Sequence, residues 1–213
     1  MTKIVGVVAR PELNKIGYIG YAIRTTVEYF GMIPFPIIPK SFKHCRSLPT
    51  EFNKKDWHKF LEICDGFILQ GGAYGYEHEM DAIKHAHDYN KPILGICMGM
   101  QNMGIFLGGS LVYLNNREHQ NPYEYAHFVD IKEDSELYKI VGQKEICVNS
   151  LHIEHIINLE EKYVVARNDN IIEAIEDKSK DFFLGVQWHP ELLNDENSES
   201  IFESYCKTLR KNK

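Results

Sequence analysis

The pentapeptide Gly95-Ile96-Cys97-Met98-Gly99 constrains this chain more than any other stretch. It stands where an apolar, β-favouring run, Ile93-Leu94-Gly95-Ile96, stops and a helix-like run, Met98 to Leu107, begins at once. Glycines two residues either side of a potential nucleophile form the layout of a nucleophile elbow, a tight strand-to-helix turn that lifts the reactive side chain clear of a sheet. A Cβ on either flank would collide with neighbouring backbone in so sharp a turn. The succeeding helix would point its free N–H groups and positive dipole end at the sulfur, an environment that lowers a thiol pKa. A buried strand cysteine beside chance glycines would look the same over so short a stretch, so the rest of the chain has to decide.

The 213 residues suffice for one sizeable core, and the chain reads as a single domain, 1–213, without repeats, low-complexity segments or linkers. A net charge of -6 argues against a nucleic-acid partner, which needs a basic face. No apolar run is long enough to predict a membrane span, and Met1 to Ala9 reads as a strand soon interrupted by Arg10, not as a signal peptide. Five scattered cysteines (Cys45, Cys64, Cys97, Cys147, Cys206) form no disulfide framework and fit free thiols in a reducing cytoplasm.

Along the first half, strand-like and helix-like runs alternate. Ile4 to Ala9, Ile33 to Ile38, Gly66 to Leu69 and Ile93 to Ile96 read as strands; Ile19 to Phe30, Asp56 to Cys64 and Glu77 to Tyr89 read as helices. Gly31 is placed to stop the first helix, and three prolines push Ile33 to Ile38 to a sheet edge, with a polar surface loop, Phe42 to Asn53, beyond it. This alternation predicts an α/β fold: a central, mostly parallel sheet flanked by helices. After Gly108-Gly109 the runs are short and β-like: Ser110 to Leu114, Phe128 to Ile131, Glu145 to Val148, Tyr163 to Arg167, Ile171 to Ile175 and Phe182 to Trp188. They predict a smaller antiparallel β portion, with Asn168-Asp169-Asn170 as a tight turn and Ser198 to Leu209 as a final amphipathic helix.

A cysteine nucleophile needs a base, and the base needs an orienting group. Gly185-Val186-Gln187-Trp188-His189-Pro190-Glu191 offers both: Pro190 biases His189 to an extended conformation, and residues two apart in an extended chain share a face. The same tripeptide would also mark a strand end leaving a sheet. Acyl transfer further needs donors for an oxyanion. The backbone N–H of Met98 is one candidate, and Gly71-Gly72, after the Gly66 to Leu69 strand, presents the other, although a Gly-Gly there also fits an ordinary βα turn. The remaining histidines do not converge into a metal site: His152 and His155, and His85 and His87, lack third and fourth ligands at a recognisable spacing. They read as solvated helix or loop residues, with His152 lining the cleft.

Leu69-Gln70-Gly71-Gly72, Leu94 to Gln101, Gly108-Gly109-Ser110-Leu111, Val148-Asn149-Ser150-Leu151-His152, Ile172-Glu173-Ala174-Ile175 and Gly185 to Glu191 follow one another in the order seen in class I glutamine amidotransferase-like proteins. Among these the chain most resembles the stand-alone γ-glutamyl hydrolases, the γ-glutamyl-γ-aminobutyrate hydrolase-like cysteine peptidases, from Ile4 to about Phe202. The resemblance implies a flavodoxin-like sheet, a Cys97–His189–Glu191 triad, a γ-glutamyl thioester and water as final acceptor, with no cofactor. It implies that Gln101 holds the α-amino or α-carboxylate end of the glutamyl group, with Ser150 and Leu151 on the other side. As a plain helix residue Gln101 would instead be exposed, and Ser150 would be a turn residue. The chain departs from those hydrolases at Ala73 to Glu77, where the loop is short, at Met98, where arginine is common, and at Ile153-Glu154-His155. These departures gather on the leaving-group side, so the amine released is left open. The expected activity is cleavage of a small γ-glutamyl amide. The alternatives are a glutaminase subunit feeding ammonia to a separate synthase, and a non-catalytic binding protein.

Overall fold

The computed structural model describes residues 1–12, 16–39, 41–49, 57–114, 120–121 and 123–211. Asp56 of the expected second helix and the far end of the loop expected over Phe42 to Asn53 lie outside them. Nine strands form one sheet, in the order Glu145–Val148, His127–Ile131, Val164–Asn168, Ile171–Glu176, Phe183–Val186, Ile93–Ile96, Gly66–Leu69, Ile4–Val8 and Ile33–Ile37. From Phe183–Val186 to Ile33–Ile37 all neighbours are parallel. On the other side the strands run antiparallel, so the antiparallel portion extends the parallel sheet instead of standing apart from it.

Strands buried on both faces are continuously apolar, because each alternate residue meets a layer of helices. Val5, Val7, Ile68, Leu94 and Val186 pack toward Ile23 and Val27 of the Tyr21–Tyr29 helix and Tyr205 and Leu209 of the Glu196–Lys211 helix. Their neighbours Val8, Phe67, Leu69 and Ile93 pack toward Met80 and Ile83 of the Glu77–Asp88 helix, Met100 and Met103 of the Met98–Phe106 helix, and Leu61 of the His58–Ile63 helix. Gly31 stops the first helix in the left-handed region, at φ +72°, and Ile33–Ile37 takes the sheet edge.

Among the described residues, the Glu136–Val141 helix and the short strands Arg10–Glu12, Ile16–Tyr18, Gln120–Asn121, Ser150–Leu151 and Glu154–Ile157 are absent from the periodicity, while the expected Ser110 run is present. A helix at Glu136–Val141 is opened by Ser135, whose Oγ accepts from Tyr138 N at 3.0 Å, and closed by Gly142 at φ +69°. At six residues it is too short to build an apolar stripe. Arg10–Glu12 pairs with Ile16–Tyr18, Ser150–Leu151 with Gln120–Asn121, and Glu154–Ile157 with Ser110–Tyr113, outside the main sheet. Among the described residues no helix is long and apolar enough to cross a membrane.

The helix histidines correct the sequence reading. His78 and His85 are buried, not solvated. His78 Nε2 donates to the Ala9 carbonyl at 2.9 Å, and His85 lies against the rings of Phe67 and Tyr89. Burial holds each down at about 4, against the Ala9 bond at His78 and with help from Lys91 and His58 at His85. Uncharged imidazole is aromatic enough to serve as core, which hydropathy does not register.

Candidate active site

Three neighbouring parallel strands end side by side, and each carries one part of the site just beyond its C-terminal end. Cys97 succeeds Ile93–Ile96 and opens the Met98–Phe106 helix at φ +52°, ψ −109°. A non-glycine residue takes this conformation only where its surroundings impose it. Here Cys97 N donates to Val186 O at 2.8 Å, and Gln101 N donates to Cys97 O at 3.0 Å. The flanking glycines are required sterically: a Cβ on Gly95 would sit 2.8 Å from the backbone of Gly99 and Met100, and one on Gly99 would sit 2.7 Å from Leu69 Cβ. Helix, elbow and adjacent strand are therefore in direct backbone contact.

His189 lies beyond the end of Phe183–Val186. Its Nδ1 donates to Glu191 Oε1 at 2.7 Å, which leaves Nε2 for the Cys97 side. Nε2 is buried and makes no hydrogen bond to the described residues. Against the lowering effect of burial, the nearby sulfur and Glu191 together hold the imidazole above its ordinary range. The reason for the His–Glu contact differs from the expected one. His189, at φ −111° and ψ +81°, falls short of the extended region, Pro190–Leu192 is a 3-10 turn, and it is this turn that swings Glu191 back onto the ring. Asn149, inside a recognised motif but without an expected role, holds the backbone of His189 at both ends. Its Nδ2 donates to His189 O at 2.9 Å, and His189 N donates to its Oδ1 at 2.8 Å.

Gly71 and Gly72 lie beyond Gly66–Leu69, on the other side of the elbow. A Cβ on Gly71 would sit 2.6 Å from His189 Cε1 and 3.4 Å from Cys97 Cβ, so this loop closes directly over both groups. Gly72 and Met98 border a cavity of about 360 Å³ that opens onto Cys97 and His189. Its far wall is Leu151, His152, Ile153 and Glu154. Ala73, Met98 and Ile153, three of the positions where the chain departs from the γ-glutamyl hydrolases, give it apolar walls.

Gln101 also faces this cavity and is only 1% exposed, not an exposed helix residue. Its Nε2 is committed to Glu154 O at 2.7 Å and Gln187 Oε1 at 3.0 Å, leaving Oε1 as a buried acceptor with no partner. Leu151 and His152 line the cavity; Ser150 is fully buried behind them and does not. Leu151 O lies 3.5 Å from Cys97 Sγ. His152 Nδ1 donates to Glu154 O at 3.0 Å, since a carbonyl only accepts. Among the described residues no three His, Cys, Asp or Glu side chains gather as a metal site.

Sequence reasoning also passed over Arg10, buried beneath the Gly71–Gly72 loop. The available signal was a charge at the end of an otherwise apolar central strand.

Residues 76–191, more than half of the chain, match the Peptidase C26 family. The chain is 30% identical over 198 residues to the glutamine-hydrolyzing GMP synthase subunit of Methanococcus aeolicus, covering 92% of this chain and 94% of that one. The fold is shared with the glutaminase domain of the Trypanosoma brucei CTPS, solved with bound acivicin, at TM-score 0.71, 19% identity and coverage of 100% and 95%. It is shared too with a glutamine amidotransferase of Thermotoga maritima, at TM-score 0.64, 16% identity and coverage of 99% and 97%. The chain belongs to the Peptidase C26, class I glutamine amidotransferase-like family.

Proposed function

We propose that this chain, acting as a single catalytic domain, hydrolyses the γ-glutamyl amide bond of a small γ-glutamyl compound through a thioester on Cys97. The observation that carries the reading is the convergence of Cys97, the Glu191-bound His189 and the Gly71 backbone at the ends of three adjacent strands. The Cys97 sulfur attacks the γ-carbonyl carbon, and the oxyanion is met by the N–H groups of Met98 and the Gly71–Gly72 loop. Imidazolium at His189 protonates the departing amine, which leaves as the tetrahedral intermediate collapses to the thioester. Neutral His189 then takes a proton from water, which attacks the thioester and releases glutamate. Gln101 Oε1, with its amide nitrogen already committed, is suited to accept from the α-ammonium of the glutamyl group. Leu151 and His152 bound the same end of the cavity.

A second reading keeps the same half-reaction and changes the fate of the amine: a glutaminase subunit that passes ammonia to a synthase. The near full-length match to the GMP synthase subunit favours it. A panel of γ-glutamyl amides, glutamine included, assayed for free glutamate separates the two. The first reading expects turnover of substituted amides by the chain alone. The second expects slow turnover of glutamine alone and stimulation by a synthase. Absence of any glutamate release dependent on Cys97, tested with Cys97→Ala, would sink both.

A further inference from the structure

Beneath the loop that carries Gly71 and Gly72 lies a charged group the proposed chemistry does not use. Arg10 is 2% exposed and Glu79 is fully buried, and they pair at 2.8 Å between Arg10 Nη2 and Glu79 Oε1. A buried ion pair is costly to form unless its remaining groups are also satisfied. Here the partners are specific. Arg10 Nε donates to Gln70 O at 3.0 Å, and Arg10 Nη1 donates to Tyr74 O at 2.6 Å. These two carbonyls are the two ends of the short loop that contains Gly71, Gly72 and Ala73. The loop lies tight on the guanidinium: a Cβ on Gly72 would come within 2.8 Å of Arg10 Cζ.

The carboxylate is fixed in turn by the elements on either side of the site. Glu79 Oε2 accepts from Tyr76 N and from Asn102 Nδ2, each at 2.9 Å, and Asn102 belongs to the helix that Cys97 opens. The Gln70 side chain anchors the entrance of the loop separately, donating to Val8 O at 3.0 Å and Tyr18 O at 2.9 Å and accepting from Gly20 N at 2.7 Å. The planar guanidinium reaches three acceptors at once, which an ammonium on a flexible stem does not.

We propose that Arg10 is a positioning residue for acyl transfer: its guanidinium, braced through Glu79 and Asn102 to the nucleophile helix, holds both ends of the Gln70–Tyr74 loop and so keeps Gly71 and Gly72 in place over Cys97. The proposal rests on the assignment of Cys97 as nucleophile and of that loop as an oxyanion donor.

The experiment compares wild type, Arg10→Met and Arg10→Lys with a chromogenic γ-glutamyl anilide, with iodoacetamide alkylation of Cys97, and with hydrogen exchange of the Gly71–Ala73 amides. Arg10→Met is expected to lower kcat about 10²-fold, the scale of one lost oxyanion donor. KM should stay within about threefold and the alkylation rate within about twofold, because neither depends on oxyanion stabilisation. Exchange at Gly71–Ala73 should quicken, and Arg10→Lys should fall between the two. Millimolar guanidinium should restore part of the activity of Arg10→Ala. A kcat within about twofold of wild type, or a fall in kcat matched by the same fall in alkylation, overturns the proposal. Should Arg10→Met not fold, Arg10→Lys carries the same readings. If wild type releases no glutamate from the anilide or from any γ-glutamyl amide of the panel, the functional assignment falls, and exchange in Arg10→Lys decides the loop-holding claim alone: faster supports it, unchanged overturns it.

Discussion

The two sides of Cys97 are held by different physics. On one side, His189 is oriented by Glu191, two residues away, through a bond made by one local turn. On the other, the Gly71–Gly72 loop is held by Arg10, Glu79 and Asn102, which come from three separate elements. A local contact survives in almost any context that preserves its turn, whereas the loop depends on the whole sheet being assembled. In the proposed mechanism the histidine side would set proton transfer, and the arginine side would set where charge is received.

The sharpest break of this comparison is Glu191→Gln. Loss of the carboxylate that orients His189 is expected to lower kcat roughly 10³–10⁴-fold, more than any change at Arg10. Steady-state rates on a γ-glutamyl amide check this ranking, and an Arg10→Met enzyme slower than Glu191→Gln would reverse the assignment of roles. Gly71→Ala sits where the two sides meet. Its Cβ would fall 2.6 Å from His189 Cε1, so kcat should drop about 10²-fold or more as ring or loop is displaced. Wild-type kcat in that variant would mean that the loop has room to retreat.

The electrostatic contrast is smaller and is read by titration. Against the pull of burial, His189 is held above its ordinary value by Cys97 and Glu191, so its protonated form contributes stability below pH 6.5 that is lost as pH rises toward about 10. Cys97→Ala removes one of those supports; NMR of the ring should show its pKa fall and that alkaline slope shrink. His78 runs the other way. Burial holds it at about 4, so the unfolded chain takes up the proton first as pH falls from 6.5 to 4, and the folded state loses stability through that window. The loss is on the order of 3 kcal/mol, visible as a falling urea midpoint. His78→Gln, which keeps a donor for the Ala9 carbonyl, should flatten the acid limb. Glu79 is shifted as far as His78 but upward, pushed to about 7 by burial against the pull of Arg10. Its raised pKa makes the folded state lose stability as pH rises from 4.5 to 7, and Glu79→Gln should remove that slope.

Cys97, His189, Glu191 and the paired glycines were legible as candidates because each is a residue type whose chemistry is conspicuous at the end of an apolar run. The parallel half of the sheet was legible for the same reason, as continuous apolar strands separated by helical spacing. Gln101 was legible as a candidate but not in its state: only the fold shows its amide nitrogen spent on Glu154 O and Gln187, and its oxygen left over. Ser150 read as a site residue through the resemblance, yet it is fully buried and does not line the cavity. The Glu136–Val141 helix carried its cap signals in Ser135 and Gly142, but periodicity needs more turns than it has.

By itself the sequence singled out Cys97 as candidate nucleophile, His189 and Glu191 as its candidate base and orienter, and the alternation that brings their strands together, because local propensity and chemical identity are written residue by residue. Only the tertiary structure decided that the Pro190 turn, and not an extended chain, delivers Glu191, that two helix histidines are core, and that Arg10 underlies the glycine loop. Those outcomes rest on burial and on hydrogen bonds between residues as far apart as Arg10 and Gln70, and spacing along the chain carries no record of distances across it.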